Sequence, residues 1–252
     1  MLGNIMPMAN ATSNHAVLSV VVAVKQPKSE KLALCLSSFA ALGNAASIEV
    51  IIVTSGEKIH LDPEATKRLK RIFVLPEESN GVYAAYNTGC LNATSKYIIF
   101  FGFDDIALPG MDELINSVKN ADDSILMYAA PCVMEGRGIH APSRGKLSLI
   151  LRNWCHQGII YRRDYLVSNP FNLRYRIRAD HHTNIRIVSM RGRRYRIVSE
   201  PVAYFSYGGL SSIDTDIEFQ SDLPKFAAQT FGVHAYLLVR LKHFLDCFRR
   251  GR

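Results

Sequence analysis

Apolar and polar positions alternate along the chain in two rhythms. Val17–Val24 (VLSVVVAV) is a near-continuous β-branched run, the pattern of a strand buried on both faces of a parallel sheet. Residues 28–42 then place Leu32, Leu34, Cys35, Leu36, Phe39 and Leu42 at helical spacing, and IEVIIV at 48–53 reads as a second buried strand. A basic helix end and a short strand, RIFVL, follow between Lys67 and Val74. A helix is expected over 81–92, a core strand over Lys96–Phe101 (KYIIFF), a helix over Gly110–Asn120 and a strand over Ser124–Ala129. Residues 131–146, with Gly136, Gly138, Pro142 and Gly145, read as a long loop. Beyond it come a strand at Gln157–Arg162, a helix at Ala179–Met190, short strands at Tyr195–Val198 and Val202–Phe205, and a glycine-hydroxyl loop at Tyr207–Ser212. Alternation of strands and helices predicts an α/β fold with a mainly parallel sheet flanked by helices, Rossmann-like in its crossovers.

The last stretch has a different character. In Ala235–Arg250, Leu237, Leu238, Leu241, Phe244, Leu245 and Phe248 recur at helical spacing among Arg240, Lys242, His243, Arg249 and Arg250. A basic amphipathic helix of this kind suits an anionic membrane surface, although a helix packed on the domain or on a partner has the same pattern. No apolar run approaches the ~20 residues of a membrane-spanning helix. The N-terminus lacks a basic segment leading into an apolar core, so no signal peptide is expected. The chain divides into an extension at 1–16, one domain at 17–216 with halves meeting at 130/131, and the helical segment 217–252.

Charge adds to this picture. Thirty Lys and Arg against 22 Asp and Glu give +8, which favours an anionic partner. Eight arginines between Arg174 and Arg196 admit a nucleic-acid-binding reading, but no aromatic RNA-binding pattern accompanies them and no nucleic acid is expected as partner. Five scattered cysteines without a C-x-x-C pair fit free thiols in a reducing cytosol. P-loop, dinucleotide, serine-hydrolase and zincin motifs are all lacking.

Candidate chemistry lies at strand ends, where ligands of open α/β sheets gather. Asp104 and Asp105 follow the KYIIFF strand; two adjacent carboxylates there call for a shared cation, or else one of them caps the next helix. Asp180 stands at a helix start, as a cap or as a general base. His181 and His182 are adjacent and point about 100° apart, which disfavours one shared metal.

Four segments together resemble glycosyltransferase family 2, the inverting GT-A enzymes of surface-polysaccharide assembly, most of all the colanic-acid and capsule type. They are LSVVVAV, then EESNGVYAAYNTGCLNATSKYIIFFGFDD, then NWCHQGIIYRRDYL with PFNLRYRIRADHHTNIRI, and finally YFSYGGLSS, spanning residue 17 to about 212. The helix pattern G-[IV]-Y-D-A-M-N-x-G is met by Gly81, Tyr83, Ala85, Asn87 and Gly89. The resemblance implies a metal-dependent transferase using Mn²⁺ or Mg²⁺ held at Asp105 and Asp104, with Asp180 as catalytic base. Donor binding falls on Val22, Ala23, Thr54, Gly81, Asn87, Asp104, Asp105, Gly209 and Ser211, and the acceptor side on His156 and Gln157. Its partners would be a nucleotide-diphosphate sugar and a saccharide or lipid-linked saccharide. The protein would sit in the cytoplasm, peripherally on the inner face of the membrane. Three positions depart from the pattern: Thr54, Ser79 and Ala84 stand where the family has acidic residues. They leave open a donor-binding or scaffold protein without turnover.

Overall fold

Side chains along the central strands alternate between two cores. On β1 (Leu18–Val24), Leu18, Val20, Val22 and Val24 face one core and Val21 the other. The same period-2 alternation divides Ile48, Val50 and Ile52 from Ile51 and Val53 on β2 (Ile48–Thr54). Both faces of the sheet are therefore covered, as the unbroken apolar runs require. A computed structural model describes residues 16–25, 29–56, 58–119, 121–206 and 215–250, excepting the side chains of residues 65, 247, 249 and 250. The N-terminal extension, Gly209 and Ser211 lie outside the described residues.

Chain order places α1 (Ser29–Ala41) after β1, then α2 (Pro63–Thr66) and β3 (Arg71–Pro76) after β2. Next come α3 (Val82–Asn92), β4 (Tyr97–Gly102), β5 (Ile106–Ala107), α4 (Gly110–Lys119) and β6 (Met127–Ala129). The second half holds β7 (Cys132–Met134), β8 (Gly138–His140), α5 (Lys146–Leu151), β9 (Ile159–Arg162), α6 (Arg163–Ser168) and α7 (Ala179–Ser189). It ends with β10 (Tyr195–Ile197), β11 (Ala203–Phe205), α8 (Ile217–Phe231) and α9 (Val233–Arg250).

The main sheet has seven strands in the order β10-β6-β9-β4-β1-β2-β3. It is mixed, which corrects the expectation of a mainly parallel sheet: β9 runs antiparallel to both β4 and β6. A second sheet, β5-β11-β7-β8, is also mixed. Its β7–β8 hairpin and the start of α5 occupy the stretch expected to be a long loop. Gly136 and Gly138, at φ 66° and 76°, form the tight turn there, so the glycines that suggested a loop are hairpin residues.

Helix α3 lies close against the sheet because Gly89 has no side chain. A Cβ at that position would come within 2.4 Å of Val21 Cγ1. The register pairs Val24 with Thr54 and Ala23 with Gly102, which brings the ends of β1, β2 and β4 to one edge. At the opposite edge, Glu49 is fully buried and accepts bonds from Ser19, from Thr94 N at 2.7 Å and from Arg71 Nε at 2.6 Å. Burial alone would raise its pKa, but these bonds outweigh it and hold Glu49 below the usual glutamate range.

Helices α8 and α9 pack together, and Gly232 at φ 87° separates them. Ala235 and Val239 bury one face of α9 in the core. Leu237, Leu241, Phe244, Leu245 and Phe248, spaced at helical intervals, remain exposed. Among the described residues no helix is long and apolar enough to cross a membrane. Cys35, Cys90, Cys132 and Cys155 are free and buried.

Candidate functional site

Asp105 follows β4 in a tight turn in which its amide bonds Gly102 O at 3.3 Å. Its carboxylate turns back toward the strand: Oδ2 accepts from Gly102 N at 2.6 Å and from Gln157 Nε2 at 3.0 Å. It does not cap α4, because β5 lies between them. Only 4% of Asp105 is exposed, and burial pushes its pKa up to about 7 against the opposing bonds from Gln157 and Gly102. The comparison with Glu49 is informative. Both carboxylates are buried, yet Glu49 is bonded by a guanidinium and hydroxyls, whereas Asp105 is bonded by two amides and feels the Lys31 charge without a direct bond to it. A buried carboxylate whose pKa stays raised beside Lys31 would be stabilised in its charged form by a further positive charge.

Asp104 points outward, with Oδ2 at 3.4 Å from Lys31 Nζ. A Cβ on Gly102 would lie 3.1 Å from Asp105 Oδ2 and 3.2 Å from Asp104 Oδ1, so the two carboxylates flank one small space. Among the described residues no cluster of three or more His, Cys, Asp or Glu could hold a metal. Two carboxylates with an unbonded oxygen on each nevertheless suit a hard divalent cation that takes its other ligands from phosphates and water.

Asp180 sits in the first turn of α7, 4% exposed, but does not cap it. Its Oδ1 accepts the Tyr83 hydroxyl at 2.6 Å and its Oδ2 the Asn153 amide at 2.6 Å. The nearby amides of Ile177 and Arg178 are instead satisfied by Asp216 Oδ2, at 2.8 and 2.9 Å. Asn153 is itself fixed: its Oδ1 accepts from Asn184 Nδ2 at 3.0 Å, and Asn184 Oδ1 accepts from Tyr161 at 2.7 Å. A buried chain of bonds from Tyr161 to Asp180 thus holds the carboxylate in one orientation.

Tyr86 links the two acidic centres. One helical turn after Tyr83, it is buried, with its ring 6.1 Å from that of His156. Burial raises its pKa well above the tyrosine norm, and the negative charges of Asp105, Asp180 and Asp104 raise it further. Both carboxylates therefore lie near enough to Tyr86 for their charges to act on it. His156 precedes Gln157 in a 3-10 turn whose Gly158 would place a Cβ 2.4 Å from Ala130 O, which forces glycine there. Burial lowers the His156 pKa, partly offset by Asp180.

The other expected donor residues are placed differently. Ala23 is half-buried beside Gly102, whereas the Val22 side chain is fully buried in the core and could offer a ligand only its backbone. Thr54 ends β2 at the same edge and is buried; its carbonyl accepts from Glu77 N at 2.7 Å. Gly81, at φ 121°, begins α3 and donates its N–H to Glu77 Oε1 at 2.7 Å. Both ends of the Asn87 amide are taken by the Phe171 backbone, at 2.9 and 3.0 Å, so this side chain ties α3 to the second half of the chain.

His181 and His182 serve packing. His181 Nε2 donates to Leu149 O at 2.6 Å, and His182 stacks on Phe226 at 4.7 Å. Tyr83, Asn153 and Asn184 are the site residues the sequence did not mark as partners of Asp180. Asn153 does open the NWCHQG segment, the one sign available.

Residues 19–200 match the family described as Glycosyl transferase family 2. The chain belongs to this family. It is 35% identical over 162 residues to proteins named "PGL/p-HBAD biosynthesis glycosyltransferase" from Mycobacterium bovis and Mycobacterium tuberculosis. The match covers 62% of this chain, which spans 62% of the length of these curated relatives. The fold is similar to that of S. aureus TarS 1–349 in complex with UDP-GlcNAc, with a TM-score of 0.65 and 17% identity over 89% of this chain and 72% of that one. It is also similar to that of mannosyltransferase PcManGT from Pyrobaculum calidifontis in complex with GDP-Man and Mn²⁺, with a TM-score of 0.60 and 17% identity over 90% and 70%. The α/β architecture is GT-A-like, with both Asp105 and Asp180 inside the family-matched stretch.

Proposed function

We propose that this family 2 chain is an inverting glycosyltransferase that moves a sugar from a nucleotide-diphosphate sugar to a saccharide acceptor in bacterial surface-polysaccharide assembly. The observation that carries this reading is a pair of buried carboxylates, both acting on Tyr86 and held in unlike ways. Burial raises the Asp105 pKa despite bonds from Gln157 and Gly102 and the charge of Lys31, while Asp180 is fixed through both oxygens by Tyr83 and Asn153. The names of the relatives and the donor-bound neighbours, UDP-GlcNAc and GDP-Man, support a nucleotide-sugar donor.

In this reading Asp180 takes the proton from an acceptor hydroxyl. The acceptor oxygen bonds the anomeric carbon from the face opposite the diphosphate, and the bond to the diphosphate oxygen breaks. A fixed base of this kind contributes ~10²–10⁴ in rate. Its rigidity matters because the attacking oxygen must lie in line with the departing one. Asp105 and Asp104 would hold a Mn²⁺ or Mg²⁺ ion, as the two-carboxylate space at Gly102 suits. Such an ion supplies neutralisation of the charge that develops on the diphosphate. Gln157 keeps Asp105 Oδ2 engaged and leaves Oδ1 for the ligand, and His156 lines the acceptor side. The capsule-type acceptor, its lipid linkage and a peripheral position on the inner membrane face belong to the same proposal, supported by the exposed apolar stripe of α9.

Calorimetric titration with uridine, guanosine, thymidine and cytidine diphosphates, each with and without Mn²⁺, tests it. Metal-dependent binding of one of them is expected, lost in Asp105→Ala and retained in Asp180→Asn, with transfer abolished in the latter. Failure to bind any of the four would turn the reading toward a scaffold protein.

A further inference from the structure

An amide side chain has two unlike ends, and at Gln157 the difference decides what it can do. Asp105 Oδ2 accepts, so the end of the amide 3.0 Å from it must be Nε2. Reversed, the amide would set oxygen against oxygen between two side chains that are only 6% and 4% exposed. The orientation that suits Asp105 turns Oε1 to the Cys155 thiol, 2.8 Å away. A carbonyl oxygen only accepts, so the thiol donates. Among the described residues this thiol is the only donor to Oε1.

The thiol reaches a side chain two residues on because the backbone turns tightly between them. Gly158 N bonds Cys155 O at 3.1 Å across the 3-10 turn His156–Gly158. Gly158 O in turn accepts from Ala130 N at 2.8 Å, which fastens the turn to the segment between β6 and β7. A Cβ on Gly158 would lie 2.4 Å from Ala130 O and 2.8 Å from Cys132 Sγ, so turn and segment pack without a gap. Cys155 is buried there, and the Cys132 thiol of β7 interacts with it. Two bonds in series, Cys155 to Gln157 and Gln157 to Asp105, thus run from this turn to the acidic pair after β4.

We propose that Cys155 is a positioning residue: its thiol keeps Gln157 Nε2 toward Asp105, and through that amide it holds Asp105 Oδ2 in place and leaves Oδ1 for a cation. The consequence for a cation rests on the transferase reading, whereas the hold of the thiol on the amide does not. An S–H group is a weak donor, so a hydroxyl in its place serves at least as well. A methyl group does not.

The test compares Cys155→Ser with Cys155→Ala, which are nearly equal in size and differ in the donor. The chain has four glutamines, Gln26, Gln157, Gln220 and Gln229, so selective ¹⁵N labelling of glutamine side chains gives four amide signals, and the one lost in Gln157→Glu is Gln157. Hydrogen exchange at its Nε2, in the full chain without added ligand, should be about tenfold faster in Cys155→Ala and as in wild type in Cys155→Ser. The main-chain amides of β4 should exchange alike in all three proteins. In a second arm, Mn²⁺ alone is titrated and followed by its paramagnetic resonance; its affinity should fall about tenfold in Cys155→Ala and be restored in Cys155→Ser. Equal exchange at Gln157 in Cys155→Ala and wild type would overturn the proposal. So would equal acceleration in both variants, which would reduce Cys155 to a space-filling side chain. Faster exchange with unchanged Mn²⁺ affinity would overturn the reach of the thiol to Asp105. A wild-type chain that binds no Mn²⁺ would remove the metal-dependent transferase reading, while the exchange rates still decide whether Cys155 holds Gln157.

Discussion

The Tyr83 hydroxyl and the Asp180 carboxylate meet at 2.6 Å across a sequence separation of 97 residues, joining α3 to α7. Ile177 O also lies 2.9 Å from the Tyr83 oxygen, so the single hydroxyl proton is shared between two acceptors, with Asp180 the nearer. A hydrogen bond to a charged group is worth about 1.5–3 kcal/mol. Tyr83→Phe should therefore lower kcat by roughly 10–100-fold with little change in the donor KM. Asn153→Ala should behave alike, and the double variant should lose less than the product of the two, because both hold the same carboxylate. Steady-state kinetics of the three proteins decide it. A loss confined to KM would show that Tyr83 shapes binding and not the base.

Gln157 and Asp105 form the corresponding pair on the donor side. Gln157→Ala removes one of two bonds to Asp105 Oδ2 and frees that oxygen to turn away from the ligand position. Mn²⁺-dependent diphosphate affinity should fall about tenfold, while Gln157→Glu, which adds a like charge beside Asp105, should alter it in the presence of metal more than in its absence. Calorimetry reads both. Unchanged affinity in Gln157→Ala would show that Asp105 is held well enough by Gly102 alone.

Gly89 belongs to the packing that positions these groups. A Cβ there would lie 2.4 and 2.6 Å from the two methyl carbons of Val21, which is itself fully buried in β1. Gly89→Ala must push α3 off the sheet and move Tyr83 with it. A loss of about 1–3 kcal/mol in urea denaturation is expected, with a larger fall in kcat than Tyr83→Phe alone. Val21→Ala in the same protein should restore part of the stability. Full stability of Gly89→Ala would mean that the helix has room to shift.

Parts of this arrangement could be read directly from the chain, and the reason is local. The runs VLSVVVAV and IEVIIV specify strands buried on both faces, and Asp105 and Asp180 sit at the ends of periodic segments. The strands at β6, β10 and β11 are expected, but β5, β7 and β8, of two or three residues each, are too short to show a period, so the second sheet stayed hidden. The antiparallel β9 reads like any apolar strand, since direction is set by its partners β4 and β6 and not by its own residues. The bonds of Tyr83 and Asn153 to Asp180 are tertiary, at separations of 97 and 27 residues, and have no local trace. Asn87 misleads for the same reason: an amide in a motif looks like a ligand contact until Phe171 is seen to occupy it.

The paired histidines predict an acid sensitivity. His181 and His182 are held neutral, chiefly by burial, with pKa values of about 4 against an ordinary value of 6.5. The unfolded chain binds protons first as pH falls, so stability is full above pH 6.5 and declines down to pH 4. Each ring contributes about 1–3 kcal/mol to that decline. His182→Phe keeps the stacking on Tyr175 and Phe226 and removes one titration, so it should flatten the slope of unfolding free energy between pH 6.5 and 4.5. An unchanged slope would place the acid sensitivity elsewhere.

Helix α9 permits a sharper test of membrane docking than its removal would. Ala235 and Val239 are part of the core, so deleting the helix would open the domain and confuse the result. The opposite stripe, Leu241, Phe244 and Phe248, is 56–63% exposed and can be changed without touching that packing. On an anionic bilayer these side chains would enter the interface while Arg240 and Lys242 remain at headgroup level, each basic residue adding about 1 kcal/mol. Phe244→Ser/Phe248→Ser should abolish co-sedimentation with phosphatidylglycerol-containing vesicles and leave the melting temperature unchanged. Arg240→Gln should weaken binding in proportion to the anionic lipid fraction and have no effect on neutral vesicles. Sedimentation of the serine variant equal to that of the unchanged protein would make the stripe a surface for something other than lipid. Sedimentation lost in the serine variant would place the exposed face of α9 against the membrane that a lipid-linked acceptor would occupy.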